Sequence, residues 1–292
     1  MNIKITTLIE NMPDNEQTLA FEHGFSVYIE CEGKKILFDT GQTGDFVKNA
    51  VALGIALERT DAVVLSHGHY DHTGGVSALL EHLEKGVKIP CYVGKEFFLE
   101  KYKLLEDGSF KYNGNPFPKA LLEQENSPME LNFVEQDVTW LAENIVLFKN
   151  FQRVTGYEQV NPKFFVKQGE SYIQDYFPDE IALGIIIEQG LVLIAGCSHV
   201  GIVNMLEHVK RILQLPVIAV LGGTHLVEAE EERLKKTAEA FREHGVQRIA
   251  VSHCTGEEGM GLLKREFPKE FTVNNTGNVM LLGMDKTFLV CM

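Results

Sequence analysis

Four times in this chain a short apolar run of strand character ends in histidine and then in the signals of a helix start. Residues 62–65 lead to His67 and His69, 191–195 to His199, 217–221 to His225, and 248–251 to His253. In an α/β sheet such strand ends lie along one rim, where ligands and catalytic groups collect. The chain is therefore expected to adopt an α/β fold that delivers imidazole from four segments to a common edge.

The first of these segments is the densest. Ser66-His67-Gly68-His69-Tyr70-Asp71-His72-Thr73-Gly74-Gly75 places three histidines and a carboxylate within six residues. His67 and His69, two apart in an extended stretch, point the same way and can grip one ion. Asp71 and His72 fall where the chain turns into a helix, so they face a second position nearby. Gly68, Gly74 and Gly75 let the backbone approach closely without a Cβ. Imidazole and carboxylate together suit borderline divalent metals, zinc first, with iron or manganese also fitting. A single histidine at a strand end is more often a hydrogen-bonded structural residue; that reading serves His225 alone, but not this cluster.

Around these segments the pattern alternates. Ser26–Cys31 and 35–38 read as a hairpin turning at Glu32-Gly33, followed by a helix over 45–53 and the strand Ala62–Leu65. Thr73-Gly74-Gly75 opens a helix to about Leu83, with Val76, Leu79, Leu80 and Leu83 on one face, and 90–93 is strand-like. Residues 95–143 lose periodicity and carry Phe97, Phe98, Tyr102, Phe110, Tyr112 and Phe117; they read either as a lid or binding loop, or as a small helical subdomain. Residues 181–188 and 191–195 form a second hairpin about Gln189-Gly190. Two β/α units follow, with helices over 227–244 and 257–267, and the strands Phe271–Val273 and Val279–Leu282 end the pattern. With no repeat or linker, one domain over 1–292 with an insertion at about 95–143 is expected.

A formal charge of -14 would repel a phosphate backbone, which excludes nucleic acid as a default partner and favours a small molecule. No segment approaches the roughly 20 apolar residues of a membrane span, and the first twenty residues lack an apolar leader core, so no membrane partner and a cytoplasmic protein are expected. Cys31, Cys91, Cys197, Cys254 and Cys291 contain no C-x-x-C pair, against a disulfide scaffold or zinc knuckle, and read mostly as small buried hydrophobes. His23, His82, His208 and His244 have polar neighbours and read as solvated, without a function.

H-x-H-x-D-H after an apolar strand and before T-G-G resembles the signature of the metallo-β-lactamase superfamily. Phe38-Asp39-Thr40-Gly41 resembles that superfamily's first motif, whose aspartate braces the metal-binding loop. Without a second D-T-G or D-S-G, an aspartic protease is excluded short of an obligate dimer. Gly196-Cys197-Ser198-His199-Val200-Gly201-Ile202-Val203-Asn204, Gly222-Gly223-Thr224-His225-Leu226 and Ser252-His253-Cys254-Thr255-Gly256 are similar to the branch named for the dihydropterin or ribofuranosylaminobenzene 5'-phosphate synthase. The resemblance implies a four-layer αββα sandwich with a metal site on one edge.

Two departures from the pattern bear on the ligands. Residues 149–161 contain no histidine where typical members supply one, and the second hairpin ends in Gly196-Cys197-Ser198-His199 where they have a bridging aspartate. The simplest assignment makes His199 the third imidazole beside His67 and His69, and has His253 complete a second site with Asp71 and His72. Cys197, Ser198 or a solvent hydroxide is left to bridge, so the second site is expected to be weaker.

The chemistry that follows is metal-assisted hydrolysis, in which an ion lowers the pKa of water from 15.7 toward about 7 and presents hydroxide to an electrophilic centre. Asp71 is both ligand and proton acceptor in this scheme, and His225 a substrate contact or proton donor. Phosphoesters, lactones and thioesters are all candidate substrates. Glycosyl or phosphoribosyl transfer, as in the branch name, is the second expectation, and a noncatalytic metal or metabolite sensor the third. Flavin-linked diiron chemistry fits poorly, because relatives of that kind place Glu where His69 stands and append a flavodoxin module for which there is no room.

Overall fold

The computed structural model describes residues 2–84, 86–283 and 289–291. An eight-stranded sheet runs in the order Leu289–Cys291, Val279–Leu282, Ile3–Ile9, Ser26–Cys31, Lys34–Phe38, Ala62–Leu65, Ile89–Gly94, Met129–Val134. A seven-stranded sheet runs Phe271–Val273, Arg248–Ser252, Val217–Gly223, Gly190–Ala195, Ala182–Ile187, Ile145–Phe148, Val138–Ala142.

The period-two alternation of each strand sorts its residues between two cores. Ile36, Phe38 and Val64 point into the space between the sheets, where they meet Leu183, Ile185, Val192 and Ile194. Leu37, Val63 and Leu65 point the other way, onto Phe46, Val76 and Leu79 of the helices Asp45–Ala52 and Val76–His82. On the far side Leu193, Val220 and Ile249 pack on Met205, Phe241 and Leu263 of three further helices. The layers are helix, sheet, sheet, helix, the αββα sandwich expected. Strands buried on both faces read as unbroken apolar runs, which is why these were conspicuous. Each fully buried Val, Leu, Ile or Phe contributes about 1.5–3 kcal/mol relative to exposure.

Half of each sheet is parallel: Lys34–Phe38 through Met129–Val134 in one, Gly190–Ala195 through Phe271–Val273 in the other. The carboxyl ends of these strands carry the histidines to one edge. The predicted helix over 227–244 is shorter, Glu231–Glu243, and the helix expected from Thr73 is split into Tyr70–Thr73 and Val76–His82. Ile3–Ile9, unassigned from sequence, is a central strand of the first sheet.

Residues 95–143 differ most from expectation. They form no helical subdomain; their one helix is Lys119–Leu122. Met129–Val134 extends the first sheet, Val138–Ala142 the second, and Lys101–Leu104 with Phe110–Tyr112 joins Phe164–Gln168 and Ser171–Gln174 in a four-stranded sheet over the histidine edge. Of the aromatics that suggested a helical core, Tyr102, Phe110 and Tyr112 line the outer face of this small sheet with Phe165 and Tyr172, whereas Phe97, Phe98 and Phe117 pack together in the core between the first sheet and its helices. Its inner face carries Lys101, wholly buried, whose Nζ lies 2.7 Å from Asp175 Oδ2 and 2.8 Å from Asp179 Oδ1. Burial alone would push this ammonium down, but the two carboxylates outweigh it and hold Lys101 above its ordinary value. Among the described residues no helix is long and apolar enough to cross a membrane.

Replacing Lys101 with Met would strand two buried carboxylates. Urea denaturation is expected to report a loss of about 3–5 kcal/mol; unchanged stability would show that the ion triad does not anchor the small sheet.

Candidate metal centre

The turn after Ala62–Leu65 is tied down by Asp39, itself in the left-handed region at φ 58°. Asp39 Oδ1 accepts the Ser66 N–H at 2.6 Å, and Oδ2 accepts from Ser66 Oγ and His72 Nδ1, each at 2.7 Å. Ser66 Oγ in turn lies 2.9 Å from His67 Nδ1. With Nδ1 engaged in both rings, His67 and His72 each turn a free Nε2 lone pair inward. Gly74 is required for close packing: a Cβ there would strike the Gln42 carbonyl.

Three other buried acids brace the histidine loops through backbone N–H groups. Asp179 Oδ2 accepts from Gly68 at 2.8 Å, the Glu180 carboxylate from His199 and Val200 at 2.8 Å each, and Glu10 Oε2 from His253 at 3.1 Å. Burial pushes Glu10 up to about 8 and Glu180 to about 7.

The result is two adjoining groups of donors. His67 Nε2 lies 3.1 Å from His69 Nδ1 and 3.2 Å from His199 Nε2. His253 Nε2 lies 3.1 Å from His72 Nε2 and 3.4 Å from Asp71 Oδ2, which is 3.7 Å from His72 Nε2. Cys197 Sγ stands between the groups, 3.1 Å from His72 Nε2 and 3.3 Å from His253 Nε2, and also clusters with His67. A tetrahedral ion with nitrogen arms of about 2.0–2.1 Å has ligand-to-ligand edges near 3.3–3.4 Å, close to these separations.

Protonation favours the same use. Burial, with neighbouring histidines adding, holds His67, His69 and His199 well below the ordinary imidazole value, and burial takes His253 to about 4. These rings are neutral, the state a metal needs. Burial would also depress His72 and raise Asp71. Instead Asp71 and Asp39 hold His72 up, while His72, His23 and His253 hold Asp71 well down. A carboxylate among imidazoles is a place for positive charge.

An orphaned atom at His69 agrees with this. Asn113 Nδ2 lies 3.2 Å from His69 Nε2 while the buried Asn113 Oδ1 has no partner. Turning that amide over lets Oδ1 accept from His69 Nε2–H, which frees Nδ1 as the ligand atom. Asn11 Oδ1 does the same for His253 Nδ1 at 2.9 Å. The donor set fits two divalent ions.

A model of the metallo-beta-lactamase superfamily matches residues 19–134. Over 288 residues, 96% of this chain and 96% of the relative, the sequence is 30% identical to the 7,8-dihydropterin-6-methyl-4-(beta-D-ribofuranosyl)-aminobenzene-5'-phosphate synthase of Methanocaldococcus jannaschii. The chain belongs to the metallo-beta-lactamase superfamily. Tm1679, a metal-dependent hydrolase of the beta-lactamase superfamily, has a crystal structure that superposes with a TM-score of 0.81 at 31% identity, covering 95% of this chain and 98% of that one. The metallo-beta-lactamase fold protein YhfI from Bacillus subtilis shares the fold at 14% identity and a TM-score of 0.60, over 97% and 100% of the two chains.

Within this superfamily fold the structure brings His67, His69 and His199 together, and Asp71, His72 and His253 together. His225 lies outside both groups, its ring 4.3 Å from that of His199. Of the bridging candidates, Ser198 turns away and donates to the Gly223 carbonyl at 2.8 Å, leaving Cys197 as the side chain in position. The solvated reading fails for His208, buried against Phe151, and for His244, whose side chain is 5% exposed with Nε2 2.8 Å from Glu207 Oε1; His23 is exposed as expected, but its Nε2 is 3.2 Å from Asp71 Oδ2 and its ring stacks on His253. Asp39 braces the first loop as expected, but Asn11, Asn113, Asp179, Glu180 and Glu10 were missed, since each acts across the fold and has no local signature.

His69→Ala should remove the metal held by the first group; full metal content by elemental analysis would exclude that group. Cys197→Ala should lower metal stoichiometry toward one ion per chain, and an unchanged count of two would mean that the thiol is not needed to hold the pair.

Proposed function

We propose that this chain is a metal-dependent hydrolase of a small molecule. The observation that carries the reading is the pairing of two groups of metal-ligand donors, separated by one thiol, at the floor of a cavity of about 460 Å³ that also exposes Asp71 and His225. Divalent ions bound there would supply Lewis acidity and a water of low pKa. The chain's own residues do the rest. Asp71 Oδ2 faces His253 at 3.4 Å and His23 at 3.2 Å, so a proton accepted at Asp71 can pass to His23, whose side chain is 52% exposed. Burial holds His225 at about 4, so it meets substrate as a neutral hydrogen-bond donor. Phe164 packs on both His69 and His199, with ring centroids 5.2 Å from each, and shields that flank from water.

Group transfer is the second reading, supported by the near full-length similarity to a synthase. Pyrophosphate release from a sugar diphosphate donor that depends on an acceptor amine would favour it over hydrolysis.

Metal-loaded protein assayed on phosphoesters, lactones and thioesters is expected to turn over at least one class and to stop on chelation. No turnover alongside tight metabolite binding would replace the hydrolase with a sensor. His225→Ala should retain metal and lower kcat by about 10²-fold; loss of metal would make His225 a ligand.

A further inference from the structure

The roof of the metal cavity carries a charge arrangement that its floor does not explain. Lys103 and Lys111 are directly opposed across the antiparallel pair of Lys101–Leu104 and Phe110–Tyr112. Like charges in that register destabilise a sheet, and a chain of net charge -14 has acids in abundance to relieve them. Both lysines instead line the cavity, together with His69, His199 and His225. Strand alternation puts them on the inner face, and Lys103 Nζ sits 5.7 Å above the Phe164 ring. Among the described residues neither ammonium has a carboxylate within ion-pair distance. The two acids on the cavity wall have nearer partners: Asp71 belongs to the second donor group, and Glu228, which feels Lys103 only at longer range, is held by Lys163 and Asn161 at 2.8 Å each.

We propose that Lys103 and Lys111 form a subsite for a phosphomonoester group on the substrate, anchoring it from the roof while a different bond of the same molecule reaches the metal floor. Two unpaired single charges match a dianion better than a carboxylate, and the Tyr70 hydroxyl on the same cavity wall offers a further donor. The inference deepens the hydrolase reading by naming the substrate class, and rests on that reading for what happens at the floor.

Calorimetric titration of the metal-loaded protein with D-ribose 5-phosphate and with D-ribose tests it. The phosphate is expected to bind about 100-fold tighter, with Lys103→Gln and Lys111→Gln each losing about tenfold and the double variant losing the preference. Lys103→Arg, which keeps the charge, should retain it, whereas Lys103→Met, which keeps an apolar stem without the charge, should lose it; retention by the Met variant would mean that the stem and not the charge matters. Metal content and circular dichroism of each variant check that the floor and fold persist. A preference that survives in the double variant would place the phosphate on the metals instead and overturn the proposal, as would equal affinity for the two sugars in the unaltered protein. Turnover of neutral esters and lactones is measured separately, so failure of the hydrolase reading leaves this binding result legible.

Discussion

Buried carboxylates that accept backbone N–H groups hold this structure's working edge in shape. Asp39, Asp179, Glu180 and Glu10 are each nearly or wholly inaccessible; Asp39 and Asp179 together fix the first histidine turn, Glu180 the turn that carries His199, and Glu10 the one that carries His253. Taking a carboxylate out of water is costly unless its lone pairs are filled. Here two backbone donors fill the Glu180 carboxylate, and backbone, hydroxyl and imidazole donors fill that of Asp39. The loops are thereby pre-organised, and the imidazoles do not have to be gathered by the ion they would bind. The negative charge at the site itself is that of Asp71, which His72, His23 and His253 hold ionised against the effect of burial.

Much of this was legible in the residues. The paired sheets were readable because strands covered on both faces, such as Ala62–Leu65 and Gly190–Ala195, are continuous apolar runs. The H-x-H-x-D-H spacing was readable because its ligands are local. What escaped reading was whatever depends on distant partners. Ile3–Ile9 alternates weakly, with Thr6 and Thr7 both buried, and its place comes from neighbours near both ends of the chain. The small sheet joins segments some sixty residues apart, so neither half announces a strand pair. His23 is solvated as its polar sequence neighbours suggested; what escaped reading is that its neighbours in space are Asp71 and His253.

The exchange of ligands between segments is the chain's most individual feature. With no histidine in 149–161, the loop after the second hairpin supplies His199 to the first group and Cys197 to the boundary of both. Ser198 between them adopts φ 61°, a left-handed kink that sends its hydroxyl back to Gly223. That kink lets one short loop serve both groups.

The Lys101 triad has one more consequence. Its ammonium belongs to the small sheet, while Asp179 reaches from the other side to the Gly68 amide in the first histidine loop. Roof and floor are thus separate pieces of chain riveted at one buried ion cluster. Such a joint lets the roof's exposed strands drift in sequence, trading one clientele of molecules for another, while the histidine bed beneath them stays as it is.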